Sequence, residues 1–156
     1  MAGRIDARLA ELNIYLPTPA TPVANYVPFV VAGDLVVISG QLPMAGGAVS
    51  VTGKLGEGVD MAAGVAAARL CFVNLLAQLS AACGGDLDRV AQVVRLGGFI
   101  ASGPDFHDHA AVMNGASDLA VDVFGDAGRH ARSTIGVPAL PRDAAVEVEG
   151  MFRLIA

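Results

Sequence analysis

The sequence holds no tryptophan, and aromatic residues fill only 5% of its 156 positions. Charge is scarce too, at 16%, and the balance is acidic, with a formal net charge of −5. Binding to nucleic acid calls for clustered Lys and Arg, with stacking rings where the strand is single, so both shortages exclude an extended footprint of that kind. They leave room for one local cationic pocket. Cysteine is limited to Cys71 and Cys83. Both fall in one predicted helix, where their separation is roughly 18 Å at 1.5 Å per residue, too far for a disulfide. They are expected to be reduced and buried, which suits a cytoplasmic protein. The longest apolar tract, Met61 to Leu79, is broken by Gly64, Arg69, Asn74 and Gln78, so no membrane-spanning helix is expected. The first nine residues mix charges into their apolar periodicity and show no export-signal core.

What the chain does have is apolar mass. Hydrophobic residues make up 54% of it and the mean hydropathy is +0.56, more than a monomer of this size easily hides. The excess predicts an oligomer. No repeat or linker divides the chain, so 1–156 reads as one domain, with 1–19 as an N-terminal helical extension and Pro-rich loop. Ile5, Leu9 and Leu12 set a short helix over 3–13, and Pro17, Pro19 and Pro22 stop any continuation. Residues 26–31 and 35–39 read as a hairpin joined by Ala32-Gly33-Asp34, with Pro28 at a strand start or on an edge strand. A short strand is expected at 48–51, a long helix at 60–82 stopped by Gly84-Gly85, and a strand at 90–101. Within that strand, Gly97-Gly98 marks a bulge or the close approach of another backbone. A second helix at 109–124, with Gly115 as an interior weak point, and strands at 132–139 and 145–155 complete an α+β sandwich with helices on one face.

The chemistry concentrates near the end, in His130-Ala131-Arg132-Ser133-Thr134, then Leu140-Pro141, then Val146-Glu147-Val148-Glu149. An arginine on one strand and alternating glutamates on the next put a fixed cation and a carboxylate on neighbouring strands. Such a pair can hold and hydrate a small anion. Arginine offers a planar fork matched to a carboxylate. Glu147 and Glu149 share one strand face, with Val146 and Val148 on the other. Two close carboxylates raise one pKa towards neutrality, which suits a general acid/base.

This segment, together with Ser39-Gly40-Gln41-Leu42-Pro43 closing an earlier strand, resembles the two signature regions of the RidA/YjgF family of imine deaminases, also called L-PSP endoribonucleases. The likeness extends over about residues 20 to 155 and includes Asn74, Val93-Val94-Arg95 and Asp105-Phe106. It implies a chorismate-mutase-like mixed sheet with two helices on one face, packed as a homotrimer around a central barrel, with ligand clefts between subunits. It also implies hydrolysis of a small carboxylate-bearing enamine or imine, such as 2-aminoacrylate, to a 2-oxo acid and ammonia. By matching position, Arg132 holds the substrate carboxylate and Glu147 positions or activates water. Tyr26 and Ser39 line the pocket, and the backbone of Gly40 and Thr134 completes it. Thr134 stands where the deaminases commonly have cysteine, and the connection before Arg132 is longer than theirs. The same cleft would also serve a non-catalytic 2-oxo acid binding or interaction protein, while the acidic charge argues against a ribonuclease.

Other residues carry less. Ser39 lacks the Gly-x-Ser-x-Gly setting of a nucleophile elbow. His107 and His109, with Asp105 and Asp108, have the spacing of a solvated cluster capping a helix start. His130 reads as an exposed loop residue. No metal, cofactor, nucleic acid or membrane partner is expected.

Overall fold

The computed structural model describes residues 2–22 and 24–156; Met1 and Val23, inside the expected 1–156 domain, lie outside the described residues. The chain runs α1 (Arg4–Glu11), β1 (Phe29–Ala32), β2 (Leu35–Gln41), β3 (Met44–Ala45), β4 (Ala48–Val49), β5 (Lys54–Leu55), β6 (Gly58–Val59), α2 (Met61–Ala82), β7 (Val90–Ala101), α3 (His109–Phe124), β8 (Ala131–Val137) and β9 (Val146–Leu154), with short 3-10 turns before β7, β8 and β9. Five strands form one mixed sheet in the order β1-β2-β9-β7-β8. Within this sheet β7 and β8, joined through α3, pair in parallel. The other neighbours are antiparallel. The expected α+β sheet is therefore present, while β3, β5 and β6 are two-residue strands that the hydrophobic pattern does not announce.

Helix boundaries follow local chemistry. The Asp60 carboxylate caps α2 by accepting from Ala63 N at 2.8 Å, and Gly84 and Gly85, at φ 68° and 89°, end it in a left-handed turn. Over 22 residues α2 is long and apolar enough to cross a membrane by length and composition, so its four interruptions do not disqualify it as expected. Its burial against the sheet and α3 accounts for that composition: Phe72, Leu75, Leu76 and Leu79 are fully buried. Cys71 and Cys83 are buried free thiols, as expected. Helix α1 is anchored from a distance, because Arg4 N and Ile5 N donate to the Asp88 carboxylate at 2.8 and 2.7 Å. Those two N–H bonds hold the Asp88 carboxyl below its ordinary pKa.

Both long helices lie on one face of the sheet. Val146, Val148, Phe152 and Leu154 of β9 and Leu96 and Ile100 of β7 point to them and are buried. Gly115 is where the two helices cross: a Cβ there would lie 2.1 Å from Val65 O, so the helices touch through their backbones. The weak point in propensity is a contact point in packing. The Gly97-Gly98 pair keeps a regular register with β9 rather than a bulge. It admits side chains rather than a backbone: a Cβ would meet Glu149 Oε1 on one face and Met113 Sδ on the other.

The opposite face is open. Val30, Val37 and Met151 pair across β1, β2 and β9, and Val30 and Val37 are 52% and 42% exposed. Beside this apolar row, Arg95 and Glu149 pair at 3.5 Å.

Candidate functional site

The predicted site residues fall into two groups. The first sits on β2 and β9. Register shifts between Ile38 and Gln41, where Ser39 and Gly40 stand opposite the single residue Glu149, the pattern of a β-bulge. Ser39 is tied down by its hydroxyl donating to Val27 O at 2.8 Å and its N–H donating to Pro28 O at 2.9 Å. Tyr26 precedes it on an exposed loop. The carboxyl group of Glu147 lies against Gly40, where a Cβ would come within 2.8 Å of Glu147 Cδ. Glycine at position 40 is thus what admits that carboxyl. Glu147 is half-buried and its pKa is raised, first by burial and then by the neighbouring Glu149 carboxylate. Alternation along β9 is as expected, with Glu147 and Glu149 on the open face and Val146 and Val148 on the helix face.

The second group sits on β8, the edge strand beside β7. Arg132 registers with Leu96 and Thr134 with Gly98, so both side chains stand on the helix side. The half-buried Arg132 donates from Nη1 to Ser117 Oγ at 3.0 Å and from Nη2 to Ala110 O at 3.3 Å, both on α3. Among the described residues no carboxylate pairs with it. Among the described residues, Thr134 Oγ1 is buried without a hydrogen-bond partner.

Arg132 and Glu147 are not on the neighbouring strands expected of them, because β7 lies between β8 and β9. The α3 crossover delivers β8 to one edge of β7, and β9 takes the other. Glu147 is level with Phe99, which is level with Ile135, so two strand spacings, roughly 10 Å, separate Glu147 from Ile135, and Arg132 stands three residues further along β8. They also face opposite sides of the sheet. Within one chain the cation and the carboxylate do not share a pocket.

The histidines also differ from expectation. Asp108 occupies the cap position of α3 but makes no side-chain capping bond. His107 is exposed, while His109 turns inward, its Nε2 3.1 Å from Ser102 Oγ, in a cleft of about 460 Å³ that Lys54 and Glu57 also line. His130 is not a free loop residue: its Nε2 lies 2.8 Å from Ser117 Oγ and its Nδ1 2.6 Å from Gly128 O. Sequence reading missed Ser117 altogether. The available signal was its place on α3, the helix that the β7-to-β8 crossover lays beside Arg132.

Comparison with known proteins adds the lineage. Residues 6–152 match the family described as "YjgF/chorismate_mutase-like, putative endoribonuclease". The Trypanosoma cruzi protein TCP17 is 46% identical over 154 residues, spanning 98% of this chain and 96% of that one. The structure of Atu1372 from Agrobacterium tumefaciens is 46% identical, with a TM-score of 0.91 over 97% of this chain and 92% of that one. A Shewanella oneidensis MR-1 protein described as a putative endoribonuclease is 34% identical, with a TM-score of 0.94 over 97% of this chain and 100% of the other. A RidA from the Antarctic bacterium Psychrobacter, at 23% identity and a TM-score of 0.60 over 88% and 94% of the two chains, shares the fold.

Proposed function

We propose that this chain, which belongs to the YjgF/chorismate mutase-like family, hydrolyses a small carboxylate-bearing enamine or imine in a cleft formed between two subunits of a homotrimer. The observation that carries the reading is Arg132. Its guanidinium is half-buried and held by a hydroxyl and a carbonyl, both neutral, so its charge is left for an anion to balance. Two features support an intersubunit site. The groups around Glu147 and Arg132 stay apart within a chain, and the second sits on an unpaired sheet edge that a neighbouring copy can meet. The open face with Val30 and Val37 supplies apolar area for self-association around a central barrel.

In this reading Arg132 of one subunit holds the substrate carboxylate bidentately, with the Thr134 backbone beside it. Glu147, Ser39, Gly40 and Tyr26 of the next subunit form the opposite wall. Glu147 draws a proton from water as the water oxygen bonds to the C=N carbon, and passes that proton to the nitrogen. The resulting tetrahedral carbinolamine then collapses: its hydroxyl proton passes through Glu147 to the nitrogen as C–N breaks, releasing ammonia and leaving the C=O of the 2-oxo acid. Burial and Glu149 raise the Glu147 pKa, which brings the carboxyl closer to the working pH of a proton shuttle.

A second reading, binding of a 2-oxo acid without turnover, needs Arg132 and not Glu147, and is favoured by the hydrogen bonds to Ser117 and Ala110 that hold the guanidinium within one chain. A ribonuclease fits poorly with a net charge of −5 and 5% aromatics. The test is to generate 2-aminoacrylate with a serine dehydratase and follow pyruvate release. Acceleration that disappears in Arg132→Ala, with the fold and assembly intact, supports the deaminase. No acceleration together with saturable 2-oxobutyrate binding supports the second reading, and the absence of both sinks the two together.

A further inference from the structure

We propose that Ser117 and His130 are positioning residues for Arg132: a directional hydrogen-bond chain runs from the guanidinium through the Ser117 hydroxyl to the imidazole and fixes the fork that meets a carboxylate. The proposal rests on the reading of Arg132 as a carboxylate anchor.

The direction of every bond follows from what each group can do. Gly128 O only accepts, so the proton facing it at 2.6 Å belongs to His130 Nδ1. In the neutral imidazole Nε2 is then an acceptor, and the Ser117 hydroxyl donates to it at 2.8 Å. That rotor setting leaves the Ser117 oxygen lone pairs for Arg132 Nη1, 3.0 Å away. The second terminal nitrogen, Nη2, is fixed separately on Ala110 O at 3.3 Å. Two of five guanidinium N–H donors are used and three remain, enough for a bidentate carboxylate. Every acceptor in the chain is neutral, so the arginine is oriented without its charge being spent.

Both ends of the chain are held rigidly. A Cβ on Gly128 would lie 2.1 Å from Ala120 O, so the turn that offers the Gly128 carbonyl is pressed directly onto α3. The next carbonyl, Arg129 O, accepts from Gln92 Nε2 of β7 at 2.6 Å. On α3, the contact of Gly115 with the α2 backbone lies two residues from Ser117. A long side chain on an edge strand otherwise has many rotamers to lose when it binds. Holding it beforehand removes much of that cost.

The experiment has two arms. Nitrogen-15 NMR of the imidazoles, assigned by loss of a signal in His130→Ala, is expected to show His130 protonated at Nδ1, with the Nε2 shift moving in Ser117→Ala. An Nε2–H tautomer, or no response to Ser117→Ala, overturns the chain. In the second arm, 2-oxobutyrate is titrated into the intact protein and its variants. Ser117→Ala and His130→Ala are expected to weaken binding roughly three- to tenfold, the size of one lost neutral hydrogen bond. Ser117→Thr, which keeps the hydroxyl, restores affinity, a rescue that a purely structural role would not tie to the hydroxyl. Arg132→Ala abolishes binding. If Arg132→Ala loses binding while Ser117→Ala and His130→Ala keep it, this proposal alone fails. If the wild-type protein does not bind 2-oxobutyrate, or Arg132→Ala binds it equally, the anchor reading fails and takes the positioning role with it.

Discussion

Replacing Gly115 with alanine separates helix propensity from packing. In an exposed helix interior the change favours the helix by about 1 kcal/mol. At this position the added Cβ would sit 2.1 Å from Val65 O, 3.0 Å from Val65 C and 3.2 Å from Arg69 N, all backbone atoms of α2. No side-chain rotamer relieves that contact, so α2 and α3 must part by about 1 Å along their crossing, against Met113, Ala116 and Leu119, which are fully buried around it. Overpacking of this kind costs about 1–3 kcal/mol and falls at the upper end when backbone blocks relaxation. The expected balance is a net destabilisation of about 1–2 kcal/mol. In urea, with a slope on the order of 2 kcal/mol/M, the midpoint falls by roughly 0.5–1 M. The comparison is made at one protein concentration, because assembly shifts the apparent midpoint. A midpoint that rises in Gly115→Ala would refute the packing argument.

Thr134→Val removes a buried hydroxyl that has no partner, in nearly the same shape, and is expected to leave stability unchanged or raise it by about 1 kcal/mol in the same urea assay. A loss of that size would mean the hydroxyl is bonded after all. Glu147 has a folded pKa above its unfolded one, so its effect on stability is harmless below the unfolded value. It becomes a penalty as pH rises through the unfolded and then the folded pKa. Relative to wild type, Glu147→Gln should gain stability across that rise, and parallel pH profiles would remove the argument. Asp88 has the opposite sign: its depressed pKa gives stability that is present above the unfolded value and lost as pH falls through the folded one. Asp88→Ala is expected to speed hydrogen exchange at the Arg4 and Ile5 amides, which otherwise donate to its carboxylate.

Elements with strong local signals were legible in the sequence. Val90–Ala101 and His109–Phe124 match their expected spans, because β-branched density and glycine or turn residues bound them on both sides. Pro28 immediately precedes β1, an edge strand, consistent with its missing donor. The separation of Arg132 from Glu147 was not legible. Alternation fixes which residues of one strand share a face, but not which strand lies beside it, and β7 lies between β8 and β9 because the α3 crossover sets β8 on one edge of β7 while β9 pairs with the other. The Ser117–His130 contact was hidden for a related reason. Thirteen positions separate the two residues, and only the glycine-tight packing of the turn at 125–128 onto α3 closes that distance. Gly115 was misread because propensity describes an isolated helix, whereas α2 and α3 meet at their backbones.

In the proposed assembly Arg132 of one copy and Glu147 of another complete a single site. Subunit mixing tests it directly. Arg132→Ala and Glu147→Gln are prepared separately, each expected to be inactive in pyruvate release from 2-aminoacrylate, and then co-assembled. A mixed assembly contains interfaces that pair an intact Arg132 with an intact Glu147, so activity is expected to return. If native mass spectrometry shows mixed assemblies and no activity returns, or if Glu147→Gln is fully active alone, the shared site is contradicted.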